Sequence, residues 1–111
     1  MKSEESIKKK LLTWGGKSEF SYIGSIKLGT VIYYGNDNCV SVTKEQYKDM
    51  LEEFNGSTVP IGTSRNKASG VSLGYWLQEN ITKTAIASYV GKILLYEGYA
   101  IKVESGSICF K

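Results

Sequence analysis

Between residues 72 and 97 the hydrophobic side chains recur every three or four positions. This spacing places them on one face of a helix, so it predicts a short helix over 72–80 and a longer one over 83–97. Gly98 follows as the kind of residue at which a helix often ends in left-handed backbone. The apolar faces are expected to share a core, made of Trp76, Leu77, Ile86, Val90, Ile93 and Phe110.

The end of the chain alternates apolar and polar residues, which is the spacing of a half-buried strand. Alternation over 99–103 and again over 108–110 flanks a polar turn, and this pattern predicts a hairpin. A four-residue turn would keep the apolar residues of both strands on one face. The expected cross-strand pairs are Val103 with Ile108 and Ile101 with Phe110.

The first 42 residues mix the two spacings. Helical spacing predicts a helix over 4–14, and alternation then predicts two or three antiparallel strands between residues 19 and 42. The Gly-Asn-Asp-Asn cluster at 35–38 is expected to form a hairpin turn because these residues tolerate positive φ. Lys8-Lys9-Lys10 is expected on the solvated side of the first helix, with contact to phosphate as the alternative.

The middle of the chain contains the clearest helix signal. Thr43 and Gln46 fit a capping box, and helical spacing behind them predicts a helix over 43–54. Residues 58–61 are consistent with a short strand, which Pro60 restricts to a sheet edge. Residues 62–70 show no apolar period and lack the spacing of a phosphate-binding P-loop, so they are expected to form a surface loop.

The predicted order of short helix, tight turn, longer helix and hairpin resembles a helix-turn-helix with a wing. We therefore expect a single small α+β domain over 1–111, with an N-terminal helix, antiparallel β-hairpins and a winged-helix-like C-terminal half. Any subdivision would separate an α-β-β-α half, 1–56, from the winged-helix-like half, 57–111.

This resemblance favours a small, non-catalytic nucleic-acid-binding protein. The second helix of a helix-turn-helix presents its N-terminal residues to base edges and phosphates, while loop residues contact the backbone. The candidate nucleic-acid-binding residues are Arg65, Lys67, Thr82, Lys83, Thr84, Ser88 and Lys92. Ala87 and Gly91 share the helix face of Ser88 and would permit a close approach, although a close protein contact needs the same small residues. The acidic Glu104 in the predicted wing disfavours a DNA-reading wing.

Composition keeps a second function open. The net charge of +3 is compatible with a polyanionic partner and does not require one. Eight Tyr and two Trp form a heavy aromatic load, and both residue types are enriched in protein-binding hot spots. The alternative is therefore a small protein-binding regulator or inhibitor, of the kind that bacteria and their phages encode, acting through a tyrosine-rich surface.

The sequence gives no positive support for an enzyme, a metal site or a cofactor. Without any His, imidazole catalysis and the usual Cys/His zinc sites are excluded. Cys39 and Cys109 stand in alternating stretches and are expected to be buried or half-buried strand thiols. No apolar run approaches the length of a membrane span or follows the N-terminus as in a signal peptide, so a cytoplasmic location is expected.

Overall fold

The computed structural model describes residues 7–62, 72–104 and 106–111. Three helices and two antiparallel sheets form a small α+β domain in the described part of the chain. In chain order the elements are β1 (Lys9–Leu12), β2 (Glu19–Ser25), β3 (Gly29–Tyr34), β4 (Asn38–Val42), α1 (Lys44–Glu53), β5 (Thr58–Pro60), α2 (Leu73–Asn80), α3 (Ala87–Tyr96), β6 (Ala100–Val103) and β7 (Ser107–Phe110).

The first sheet contains β1 to β4 in chain order. Its alternating residues lie on two faces, so that Phe20, Tyr22 and Ile32 are buried on the face toward the core. Gly35 and Asp37 have positive φ angles of 59° and 66°, which turn the chain between β3 and β4. The predicted antiparallel strands and the predicted turn at 35–38 are thus confirmed.

The predicted helix over 4–14 is wrong for the described residues, which begin at residue 7. Residues 9–12 form β1, and Lys9 pairs with Tyr22 across the sheet. Ile7 is 52% exposed whereas Trp14 is 5% exposed, so the apolar residues do not share one helical face. Pairing with the open edge of β2 overrides the local helical pattern, as tertiary context often does. Lys9 and Lys10 accordingly lie on a strand, where the Lys9 ammonium donates to the Gly24 carbonyl at 2.9 Å, and Lys8 directly precedes it.

The second sheet has the strand order β5-β7-β6, with β5 at one edge as Pro60 predicted. The hairpin is confirmed, but its predicted register is wrong by one residue: Val103 pairs with Ser107, and Ala100 pairs with Phe110. Glu104 adopts a positive φ of 55°, and the chain reverses between Val103 and Ser107 in one residue fewer than expected. This shift leaves Ile101 50% exposed, since a one-residue slip moves a side chain to the opposite face.

Local capping signals explain the ends of the helices. The Thr43 hydroxyl accepts from the Gln46 amide at 3.1 Å while the Gln46 side chain accepts from the Thr43 amide at 2.8 Å, so the predicted capping box is confirmed. At the end of α3, Gly98 has a φ of 85°. The amides of Gly98 and Tyr99 donate to the carbonyls of Leu95 and Leu94, which completes a Schellman motif.

Helix α2 agrees with the predicted helix over 72–80, but α3 begins at Ala87 instead of residue 83. The Thr82 hydroxyl accepts from the Thr84 amide at 3.3 Å, a local bond that competes with helical backbone bonding. Residues 81–86 therefore connect α2 to α3.

A single cluster of buried side chains joins both sheets and all three helices. Five of the six predicted core residues belong to it, and their exposed fractions are 1% or less: Leu77, Ile86, Val90, Ile93 and Phe110. Trp76, the sixth, is only half-buried. The Cα radius of gyration is 13.0 Å, about the value expected for one compact domain of this length. None of the described helices has the length and apolarity to cross a bilayer.

Candidate functional site

The predicted nucleic-acid-binding residues do not form one helical face. Lys83 and Thr84 are exposed and Thr82 is half-buried, and all three precede α3. Ser88 and Lys92 lie on α3 and are half-buried. Arg65 and Lys67 lie outside the described residues.

The small residues of α3 contact the protein itself. A Cβ atom added at Gly91 would lie 2.7 Å from Ile61 Cδ1 and 2.9 Å from Trp14 Cε3. The Trp14 amide also donates to the Ser88 carbonyl at 3.0 Å. Ala87 is 1% exposed. The face of Ala87 and Gly91 is therefore occupied by residues that flank β1 and β5, and it is closed to a nucleic-acid groove in this conformation.

The neighbouring side of α3 is covered by the first sheet. The Tyr89 ring lies 5.0 Å from the Tyr34 ring and 5.1 Å from the Phe20 ring, measured between centroids. What remains open is a strip with one residue per turn: Ser88, Lys92 and Tyr96. Tyr96 is 58% exposed.

The opposite side of the molecule has a groove between α1 and α2, which we call the acidic groove. Two adjoining depressions of about 440 Å³ and about 390 Å³ form it, and both are lined by Glu53, Trp76 and Asn80. Among the described residues that line the groove, none is basic. Its acidic residues are Asp49, Glu52, Glu53 and Glu79, four of the 11 in the chain.

Aromatic side chains accompany these carboxylates. Trp76 is half-buried and lies edge-on to Phe54, with 6.3 Å between ring centroids. Tyr75, the preceding residue of α2, also lines the groove and is 40% exposed. Tyr33, Tyr34, Tyr89, Tyr96 and Tyr99 are not among the residues that line this groove.

A second groove lies along the other flank of α1, and we call it the lysine groove. It has a volume of about 610 Å³ and lies between α1, the β2–β3 turn and Tyr99. Its basic residues are Lys27, Lys44 and Lys48, and its apolar and aromatic residues are Ile26, Tyr47, Leu51 and Tyr99. Glu45, Glu52 and Asn55 complete the lining.

Buried polar contacts hold the wall of the lysine groove. One oxygen of the Glu97 carboxylate accepts from the Ile26 amide at 3.0 Å, and the other accepts from the Tyr22 hydroxyl at 2.5 Å. Burial, followed by the hydrogen bond to Glu97, raises the pKa of Tyr22. Burial also raises the pKa of Tyr47, whose hydroxyl is hydrogen-bonded to that of Thr30 at 2.8 Å. Both tyrosines therefore stay neutral at physiological pH.

Neither groove was identified from the sequence. The sequence predicts the helix that contains α1, but no sequence signal places α2 on one of its flanks and Tyr99 on the other. The helical spacing of Trp76 is that of a core residue, so the sequence does not predict its half-buried position in this groove. A usable signal was the acidic side of the predicted helix, where Asp49, Glu52 and Glu53 lie three and four positions apart.

The thiols and acidic residues give no sign of a metal site in the described part of the chain. Cys109 is half-buried as predicted, but Cys39 is exposed, and the two free cysteines belong to different sheets. No group of three or more potential metal ligands occurs among the described residues.

No protein-family model matches the chain, and comparisons with curated proteins and with solved structures also find no significant match.

Proposed function

We propose that this chain is a non-catalytic protein-binding module whose acidic groove takes a basic segment of a partner protein. The observation that carries this proposal is the half-buried indole of Trp76 in a groove whose described lining is acidic and not basic. In this view the protein acts as a small regulator or inhibitor. A cytoplasmic location and a bacterial or phage origin belong to the same proposal.

The aromatic residues supply the anchor. Tryptophan and tyrosine are enriched in binding hot spots because they bury a large area at a low cost in conformational entropy. Phe54 is 6% exposed and lies against Trp76 from the core side, so the indole is supported before a partner arrives. A supported side chain loses less entropy on binding than a mobile one.

The carboxylates determine the chemistry of the partner. Lysine or arginine side chains would offset the charges of Asp49, Glu53 and Glu79, and guanidinium groups form the stronger, bidentate pairs with carboxylates. An arginine can also stack on the face of Trp76. An acidic or neutral segment would leave these charges without compensation.

The direct test uses a labelled peptide of alternating arginine and leucine, with a glutamate–leucine peptide as the negative probe. Wild-type protein is expected to bind the basic peptide in a salt-dependent manner and to ignore the acidic one. Because hot-spot substitutions cost about 2 kcal/mol or more, Trp76→Ala should weaken binding about 30-fold.

Charge reversal locates the site. The double variant Asp49→Lys/Glu53→Lys should abolish binding, whereas Glu19→Lys, an exposed control on β2, should not. The proposal would be contradicted if the double variant bound the basic peptide as tightly as wild type does. It would also be contradicted if wild type bound the basic and the acidic peptide alike.

Nucleic-acid binding is the second candidate, and the arrangement of the C-terminal half favours it. Helices α2 and α3 are followed by the β6–β7 hairpin, and β5 adds a third strand, which is consistent with a winged-helix-like half. Phosphate contacts would come from the open strip of α3 together with Lys83, Arg65 and Lys67, because Ala87 and Gly91 are buried.

A salt titration with short duplexes tests this candidate. Each phosphate contact contributes about 0.9 to the slope of log affinity against log salt, so Lys83→Gln/Lys92→Gln should flatten it by about two units. Lys17→Gln, in an exposed turn, is the matched control. Absence of binding to duplex or single strand at about 50 mM salt would eliminate this candidate.

A further inference from the structure

We infer that the lysine groove is a binding site for a small organic phosphate that carries a flat ring and hydroxyl groups, the chemistry of a mononucleotide. The site shares only Glu52 with the acidic groove, because it lies on the other flank of α1 and is bounded by Lys27 and Tyr99 instead of α2. The inference therefore goes beyond the proposed protein-binding function and does not depend on it.

The lysines of this groove outnumber its carboxylates by three to two. Among the described residues, the structure records no ion pair or hydrogen bond to the ammonium groups of Lys27, Lys44 or Lys48. Lys44 and Lys48 are separated by one helical turn, where like charges repel. A phosphate placed among the three lysines would relieve this repulsion and accept charge-assisted hydrogen bonds.

The lining between the lysines is apolar and aromatic. Ile26 is 3% exposed and Tyr47 is fully buried, while Leu51 and Tyr99 are half-buried and add apolar area accessible to a ligand. The volume of about 610 Å³ falls within the range of about 300–1,000 Å³ that is usual for small-molecule sites. A phosphate ion alone would leave most of this surface uncovered, so a ligand with a flat, apolar part fits better.

The walls of the groove are fixed before a ligand binds. The Glu97 carboxylate accepts a hydrogen bond at 3.0 Å from the amide of Ile26, the residue before Lys27. The capping box fixes the first turn of α1, which carries Lys44. Tyr99 is held on both sides, since its amide donates to the Leu94 carbonyl at 2.9 Å and its carbonyl accepts from the Lys111 amide at 3.1 Å. Such preorganisation lowers the entropic cost of binding.

The two carboxylates of the groove narrow the ligand class. Glu45 and Glu52 would repel the repeated phosphates of a nucleic-acid backbone, which spread over a longer surface. Each can instead accept a hydrogen bond from a hydroxyl group, as a carboxylate has only acceptor atoms. The lysines therefore suit a phosphate, the apolar and aromatic residues suit a flat ring, and the two carboxylates suit a hydroxylated link between them.

The test is a titration of the full chain with AMP, GMP, CMP and UMP, followed by amide chemical shifts. At least one mononucleotide should saturate the protein, with the largest shifts at Lys27, Lys48 and Tyr99. For that nucleotide, the free nucleoside and inorganic phosphate should each bind about tenfold more weakly or worse, because each lacks one half of the contacts.

Two substitutions and two controls assign the binding to this groove. Lys48→Gln and Tyr99→Leu should each weaken nucleotide binding about tenfold, while Lys17→Gln, in an exposed turn, should leave it unchanged. Trp76→Ala should also leave it unchanged, which separates this site from the acidic groove. A thermal melt of each variant verifies folding, and Lys44→Gln replaces any variant that fails to fold.

Three results would overturn the inference. The first is no saturation by any of the four nucleotides at about 5 mM, an affinity too weak for a site built from three cations. The second is nucleotide binding that Lys48→Gln and Lys44→Gln both leave unchanged. The third is inorganic phosphate that binds as tightly as the nucleotide, which would show that the apolar lining contributes nothing.

Discussion

The two flanks of α1 carry opposite charges within ten residues of chain. Asp49 and Glu53 contribute to the acidic groove facing α2, whereas Lys44 and Lys48 contribute to the lysine groove facing Tyr99. Within each pair the two residues lie one helical turn apart, so both flanks place like charges next to each other. Such pairs destabilise a helix by about 0.2–0.5 kcal/mol each.

The charges also oppose the helix dipole. Lys44 is at the positive N-terminal end of α1, and Glu52 and Glu53 are at its negative C-terminal end. The reverse placement would stabilise the helix, by about 0.3–1 kcal/mol per charge at low ionic strength. Glu45 in the first turn favours the dipole, so the charges of α1 have mixed effects and its stability depends mainly on its cap and its buried side. An acidic groove and a groove with more lysines than carboxylates are what two binding sites for oppositely charged ligands require.

The largest effect is expected where the acidic flank meets the core. Phe54 is 6% exposed and stacks on Phe110 at 5.0 Å between ring centroids, so Phe54→Ala should cost about 3–5 kcal/mol. The sequence pattern places Trp76, its neighbour, in the same core. Because its indole is only half-buried, Trp76→Ala is expected to cost less than Phe54→Ala. Urea denaturation of both variants makes the measurement, and equal losses would place Trp76 in the core and remove the anchor of the acidic groove.

The next effect concerns Met50, the buried residue that holds α1 against the core. Met50 is fully buried beneath α1, and Met50→Ala should cost about 2–5 kcal/mol because it leaves a cavity. Leu51→Ala is the matched control, as Leu51 is half-buried and lines only the lysine groove. It should cost less than about 2 kcal/mol. A greater loss for Leu51 in chemical denaturation would mean that α1 is held from the lysine side alone.

The features of the fold that the sequence predicted correctly are local ones. The capping box of α1, the left-handed Gly98 that ends α3 and the turn at 35–38 depend on residues within a few positions of each other, and all three predictions are confirmed. The predicted helix over 4–14 failed because the exposed edge of β2 selects the conformation of residues 9–12. The hairpin register failed because the conformation of Glu104 depends on the whole turn.

The candidate sites were less predictable than the fold for a related reason. Lys44, Lys48, Asp49 and Glu53 were correctly placed on a helix, but a groove is a property of two elements. The acidic groove needs the position of α2, and the lysine groove needs a turn at Lys27 and a loop at Tyr99, which are distant in sequence. No local pattern fixes these distances.

Alkaline pH offers a smaller effect that reports on the buried side of the lysine groove. Burial raises the pKa of Tyr47 above that of an unfolded tyrosine, about 10, so only the unfolded chain loses this proton as the pH passes that value. Ionisation then favours unfolding, by up to about 1.4 kcal/mol per pH unit. Between pH about 10 and 11 the free energy of unfolding should fall more steeply for wild type than for Tyr47→Phe. Parallel slopes would show that Tyr47 is accessible from the groove.

The smallest effect tests whether the charges on the two flanks of α1 act in binding instead of stabilising the helix. Lys44→Gln and Glu53→Gln each remove one charge that opposes the dipole and one like-charge neighbour, so each should raise the free energy of unfolding by about 0.3–1 kcal/mol at low salt. The gain should shrink in about 1 M salt, where the screening length is about 3 Å. Each substitution should also weaken one ligand only: the nucleotide for Lys44→Gln and the basic peptide for Glu53→Gln. A variant that gains stability and keeps its ligand would show that the charge on that flank has no role in binding. A variant that loses stability would mean that its charge is compensated after all, and would return that flank to an ordinary solvated helix surface.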